Sequence, residues 1–175
     1  MWKTLLTALL CLIWGSAAVA ADFYEGVKVG GVRYGYSNVY KNDQIGLGYL
    51  LGYSFNKNLA VEIEYNLLGG AETATDRYKG YATALNAVAM IPLHSKFSIY
   101  GKLGLASTTL KDYVKSGAIS DATYRNTGVT GGFGGQYNVT DTVGIRAEYG
   151  SYRVGDSRSG TAIAEMFNVG GVFKF

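Results

Sequence analysis

The chain has 175 residues, with 16 Lys plus Arg against 13 Asp plus Glu, and a single Cys. So slight and evenly spread a basic excess argues against nucleic acid as a partner, and one thiol cannot build a disulfide framework or a Cys-based metal site. With 25 Gly, 15 Tyr and 1 Pro, and no sustained 3.6-residue apolar period beyond position 21, the composition excludes a helical protein, since Gly and Pro break helices and Tyr favours strands.

Residues 1–20 read as a cleaved secretory signal. Lys3 gives a positive start, Leu5 to Trp14 an apolar run, and Ala18-Val19-Ala20 the small-x-small pattern of signal peptidase. The run is shorter than the ~20 apolar residues of a spanning helix. Cys11 lies inside it, so a mature chain starting at Ala21 has no thiol. Residues 21–175 suffice for one domain.

Strands are read from alternation, because successive side chains point to opposite faces. Tyr24 to Tyr36 is a weak first run. Gln44 to Phe55 sets Ile45, Leu47, Tyr49, Leu51, Tyr53 and Phe55 against Gly46, Gly48, Gly52 and Ser54. Leu59 to Leu68 is the clearest, with Val61, Ile63, Tyr65 and Leu67 opposite Glu62, Glu64 and Asn66. Tyr78 to Ile91 is weak. Phe97 to Thr109 sets Phe97, Ile99, Leu103 and Leu105 against Ser98, Tyr100, Lys102 and Thr108. After the weak run Arg125 to Tyr137, Val143 to Arg153 sets Val143, Ile145, Ala147 and Tyr149 against Arg146 and Glu148. Ile163 to Phe175 completes eight strands.

The connections alternate in length. Phe55 to Asn58, Pro92 to Lys96 and Asn138 to Thr142 are short and turn-like. Those around Tyr40 to Asp43, Gly69 to Arg77, Lys111 to Tyr124 and Gly155 to Ala162 are polar and mostly longer. Short periplasmic turns with longer outer loops are the layout of an outer-membrane barrel, and each strand is near the ~9–11 residues that cross a bilayer. The fold class is therefore all-β: an eight-stranded antiparallel up-and-down transmembrane β-barrel over residues 21–175.

Phe167, Val169, Phe173 and Phe175 share one face of the last strand. With Tyr24 to Gly30, Asn56 to Gly69, Ile99 to Gly104 and Ile145 to Tyr149, this makes the chain resemble the OmpA-type outer-membrane barrel domain and its eight-stranded relatives over nearly all of residues 21–175. The resemblance implies a barrel without the peptidoglycan-binding domain of full-length members. It implies that Phe173 and Phe175 form the signal read by the barrel assembly machinery. It also sets Lys28, Glu62, Lys102 and Arg146 where that family keeps an internal charge network. Val88 and Gln136 depart from the pattern, standing where a further basic and acidic residue are usual, which puts gating by partner exchange in doubt.

A soluble lipocalin-like barrel is the structural rival, and it would turn its apolar face inward. Against it, the polar faces carry mostly Gly, Ala, Ser, Thr and Asn, where a soluble surface would carry more charge. Tyr24, Tyr34, Tyr36, Tyr53, Phe55, Tyr78, Tyr137 and Tyr152 near strand ends suit aromatic girdles. With apolar faces outward, the lumen receives Lys28, Glu62, Glu64, Asn86, Lys102, Gln136, Arg146, Glu148, Asn168 and Lys174. Their near-balance of charge implies a hydrogen-bonded polar plug, in a lumen just wide enough for side chains.

Other motifs read blandly. His94-Ser95 lies in a periplasmic turn without a nearby carboxylate, and adjacent side chains are expected to point apart, which disfavours catalysis. Gly128 to Gly135 lacks phosphate-loop spacing, and Asn138-Val139-Thr140 matches a glycosylation acceptor only through its turn composition. Lys111, Lys115, Arg125, Arg153 and Arg158 near the outer rim can pair with lipopolysaccharide phosphates or another extracellular ligand, or remain solvated loop charges. The expectation is a monomeric, non-enzymatic barrel with no cofactor, set among outer-membrane lipids and lipopolysaccharide. It would support membrane integrity and display loops. An adhesin or host-factor binder is the alternative, then a small passive channel.

Overall fold

A computed structural model of the chain describes residues 23–35, 44–69, 76–114, 122–156 and 160–175. The signal expected over residues 1–20, and Lys115 and Arg158, lie outside them. The strands are β1 (Phe23–Gly35), β2 (Gln44–Ser54), β3 (Leu59–Leu67), β4 (Asp76–Pro92), β5 (Phe97–Val114), β6 (Ala122–Asn138), β7 (Val143–Asp156) and β8 (Gly160–Lys174). Each pairs antiparallel with the next, and β8 returns to β1 to close the barrel.

The three short turns share one bonding scheme. The first two turn residues both donate their N–H to the carbonyl that opens the next strand: Phe55 and Asn56 to Leu59, Leu93 and His94 to Phe97, Val139 and Thr140 to Val143. Short polar side chains complete two of them. Asn56 Oδ1 accepts the Asn58 and Leu59 N–H groups at 2.8 and 3.0 Å, and Thr140 Oγ1 accepts that of Val143 at 3.0 Å.

The strands outrun the alternation that revealed them. β5 continues to Val114 and β6 begins at Ala122, inside the loop expected over Lys111 to Tyr124; β4 starts at Asp76 and β7 ends at Asp156. Alternation is enforced only where one face is pinned. Beyond the bilayer neither face is, yet the backbone ladder continues. Pro92 and Asn138, expected in turns, are instead the last residues of β4 and β6.

The apolar face points outward. Leu103 and Phe133 are each 65 % exposed, whereas Glu62 and Glu64 are 0 % exposed. That inverts a soluble barrel and sets aside the lipocalin-like alternative. On the outer wall near the turns, the Phe23 and Tyr53 rings stand 4.8 Å apart and those of Tyr53 and Phe55 5.2 Å. Tyr24, Tyr34 and Tyr152, expected in the same girdles, are buried inside. The reason is register: Tyr24 lies four residues from Lys28 and Tyr152 four from Glu148, so each shares the inward face. Tyr36 and the Tyr78 side chain lie outside what the structure describes.

Candidate functional site: the barrel interior

Long polar side chains enter from the odd-numbered strands, and glycines on their neighbours make room. Lys28 stands opposite Gly48 and Gly170, Tyr24 opposite Gly52, Lys102 opposite Gly132, and Tyr100 opposite Gly134. A Cβ at Gly48 would lie 2.6 Å from Lys28 Cε, and one at Gly132 would lie 2.9 Å from Lys102 Cε.

Lys28 (β1), Glu64 (β3), Lys102 (β5) and Glu148 (β7) close a ring of alternating charge across the lumen. The ion-pair distances are 2.7 Å for Lys28–Glu64, 2.5 Å for Lys102–Glu64, 2.7 Å for Lys102–Glu148 and 2.9 Å for Lys28–Glu148. Further donors supplement the ring: Asn86 Nδ2 and Tyr152 Oη reach Glu64 at 3.0 and 3.2 Å, and Tyr100 Oη reaches Glu148 at 3.0 Å. Buried charges are tolerated when paired and hydrogen-bonded in this way.

A second layer lies nearer the turns. Arg146 donates to Glu62 at 2.5 Å and to Gln136 Oε1 at 2.7 Å, and its guanidinium sits 5.2 and 4.8 Å from the Tyr24 and Tyr100 ring centres. Tyr24 Oη donates to Glu62 at 2.6 Å. Glu62 and Glu64, like Arg146 and Glu148, are two residues apart on one strand, which stacks the layers. Lys174, expected with the lumen charges, stays apart: it is only part-buried and donates to Asn138 Oδ1 at 3.3 Å by the turns. As the last residue of β8 it sits at the mouth of the barrel. Gln136 binds Arg146 as a neutral acceptor, and Val88 joins an apolar cluster.

Apolar clusters flank the charges at both ends. Val32, Leu68, Ala84, Tyr152, Ala164 and Met166 are among those packed on the loop side, and Tyr24, Leu50, Ala60, Val88, Tyr100 and Val172 on the turn side. The tyrosines Tyr24, Tyr100 and Tyr152 serve both kinds of layer, with rings in the clusters and hydroxyls on carboxylates. The sequence reading missed this role, although their parity with Lys28, Lys102 and Glu148 carried the signal.

The remaining candidates scatter. Lys111, Arg125 and Arg153 are exposed on the outer wall of the loop half. Phe173 faces outward, and the Phe175 N–H donates to the Phe23 carbonyl at 3.1 Å beside the β1–β8 seam. His94 and Ser95 do not point apart as expected: Ser95 Oγ is 3.1 Å from His94 Nδ1. The tight turn folds the exposed serine back onto the ring. Glycines 132 and 134 of the Gly-rich segment lie within β6 under Lys102 and Tyr100. Among the described residues no group of His, Cys, Asp and Glu forms a metal-binding set.

A family model described as outer membrane protein beta-barrel domain matches residues 6–175. No match is found among curated proteins. Among solved structures, Neisserial surface protein A superposes with a TM-score of 0.74 at 19 % identity, covering 87 % of this chain and 97 % of that one. Ail, the attachment invasion locus protein of Yersinia pestis, gives 0.65 at 17 % identity, covering 90 % and 100 %. OprG from Pseudomonas aeruginosa gives 0.64 at 16 % identity, covering 89 % and 96 %. At these identities the likeness is one of fold.

Proposed function

Because the chain belongs to the outer membrane protein β-barrel domain family and is integral to the outer membrane, we propose that it is a sealed, non-enzymatic barrel that supports that membrane and displays loops at the cell surface. The observation that carries this is the filled interior. An ion crossing it would have to draw Lys28 and Lys102 from two carboxylates each and part an apolar cluster on either side. Breaking buried pairs without replacing them is costly. In this proposal the barrel acts as a monomer, and Phe173 and Phe175 on the closing strand are what the assembly machinery reads.

Planar-bilayer recording tests the seal. The wild type is expected to give no discrete current steps, while a variant combining Glu64→Ala and Lys102→Ala in the ring with Tyr152→Ala and Met166→Ala on one side and Tyr24→Ala and Tyr100→Ala on the other gives them. Reproducible steps from the wild type would sink the proposal.

A second reading, a surface binder or adhesin, draws on strand length. β4, β5 and β6 have 17, 18 and 17 residues, against the ~9–11 that cross a bilayer, so that side of the wall holds its loops clear of the membrane. Replacing the segment between β5 and β6 with a short Gly-Ser link would then abolish attachment of expressing cells to host cells. Unchanged attachment would dismiss this reading.

A further inference from the structure

The wall of the barrel is not paired along its full height. β6 pairs with β7 from Asn138–Gly144 up to Gly131–Ser151 and no further, although β6 continues beside β5 to Ala122 and β7 beside β8 to Asp156. Above that rung β7 passes behind β6: the Arg153 carbonyl accepts a hydrogen bond from the buried Thr108 Oγ1, which belongs to β5 two strands away, at 2.7 Å. Where the seam begins, hydroxyls take the place of the ladder. Thr130 Oγ1 donates to the Ser151 carbonyl at 2.7 Å, and Ser151 Oγ to the Gly131 carbonyl at 3.3 Å. Beside Gly128 the strands still touch, since a Cβ there would meet Arg153 Cβ at 3.4 Å. From Ala122 to Thr127, β6 has no second neighbouring strand among the described residues.

Height explains why one part of the seam is stitched and the other left open. Taking ~3.4 Å per residue and a tilt of ~40°, Gly131 lies about 16 Å and Thr127 about 26 Å above Tyr137 on the turn side, against an apolar band of ~25 Å. Unpaired backbone groups are costly within the band and tolerated in water beyond it. In Ala122–Thr127 every second residue directs its N–H and C=O away from β5. Exposed edges are usually blunted by short length, charge or Pro. The other edge of this sheet, Asp76 to Lys79 of β4, also has no described ladder partner on its β3 side, but it is short and carries Asp76, Arg77 and Lys79. Ala-Thr-Tyr-Arg-Asn-Thr at 122–127 is longer, with Arg125 its one charge and no Pro. Thr123 and Thr127 are exposed on it.

We infer that this edge binds an extended polypeptide segment of a partner by strand addition, the segment becoming the next strand of the β4–β6 sheet outside the membrane. A row of N–H and C=O groups repeating every two residues, ~6.8 Å, is matched by an extended polypeptide and by neither a lipid nor a sugar chain. A second barrel in the same membrane is a poorer occupant. Both β6 strands would run in one direction and meet in the less stable parallel pairing. Thr123 and Thr127 favour β-branched side chains at the facing positions of the added strand. Strand addition rests on the surface-binder reading and says how such a partner is held.

Selection of a phage-displayed random heptapeptide library on the mature protein in phosphatidylcholine nanodiscs tests this. Recovered peptides are remade with single backbone N-methyl groups, and their affinities are read by fluorescence anisotropy. N-methylation at every second residue is expected to weaken binding about tenfold or more, and at the residues between to change it little, because only alternate N–H groups face the edge. A diazirine on the peptide should label residues 122–127 on irradiation. Recovery of no peptide, an N-methyl profile without alternation, or labelling confined to other residues would overturn strand addition at this edge. Attachment of expressing cells to host cells without such a peptide would leave the surface-binder reading standing and defeat the edge alone. Alternating, edge-labelling peptides from a protein that gives no attachment would defeat the adhesin reading alone.

Discussion

Gly134 lies under the ring of Tyr100 on the neighbouring strand, so that a Cβ at 134 would stand 2.7 Å from the Tyr100 hydroxyl and 2.8 Å from Cζ, besides meeting the Ala147 carbonyl of β7. That ring in turn supports Arg146 and hands a hydrogen bond to Glu148. Space at one glycine is thus a condition for two charge layers. Gly134→Val is expected to cost about 1–3 kcal/mol by overpacking, read as a lower urea midpoint in detergent micelles. Gly101→Ala, whose Cβ would meet only the Gly132 carbonyl at 4.0 Å, should change the midpoint little. Equal losses at both would show that inward crowding is not what selects glycine.

Glu64 is the most heavily engaged carboxylate in the lumen, taking Lys28, Lys102, Asn86, Asn66 and Tyr152. Glu64→Leu leaves two lysines with one partner each and is expected to cost about 3–5 kcal/mol. Adding Lys102→Met should recover part of that loss, because it removes a stranded charge. Urea unfolding of the two single variants and the double variant gives the coupling energy. Strict additivity would contradict a cooperative ring.

His94 and Ser95 touch but are solvent-exposed at a turn. His94→Ala should shift stability by no more than about 0.5 kcal/mol, as for other surface changes. It should also leave the lipid A of expressing cells unchanged in mass. A change in lipid A mass would restore the enzymatic alternative.

How much was legible beforehand varied with depth in the membrane. Leu59 to Leu68 and Val143 to Arg153 announced themselves, because lipid on one side and a packed lumen on the other force alternation. The upper parts of β5 and β6 did not, since Lys111 to Val114 and Ala122 to Tyr124 carry no apolar alternation in the sequence. Inward charges were visible from parity alone. Tyr100 likewise falls on the polar face of its strand, but Tyr24, Tyr34 and Tyr152 were not legible as inward, because a Tyr near a strand end suits a lipid interface as well as a lumen, and only its register against Lys28 or Glu148 separates the two. The pairing of Lys28 with both Glu64 and Glu148 required knowing which residues share a level, which strand tilt and stagger decide.

The ring draws one member from each of β1, β3, β5 and β7, and Lys28 and Glu148 lie 120 residues apart in sequence. The Lys28–Glu64 and Lys102–Glu64 bonds span only 36 and 38 residues, so parts of the ring can pair before the wall is complete. A half-built wall leaves these pairs open toward whatever fills the gap, and only the return of β8 to β1 sets Glu148 against Lys28 and shields them all. Completion of the ring and closure of the wall are therefore one late event: the interior acts as a completeness check on assembly, passed only when the last strand is home.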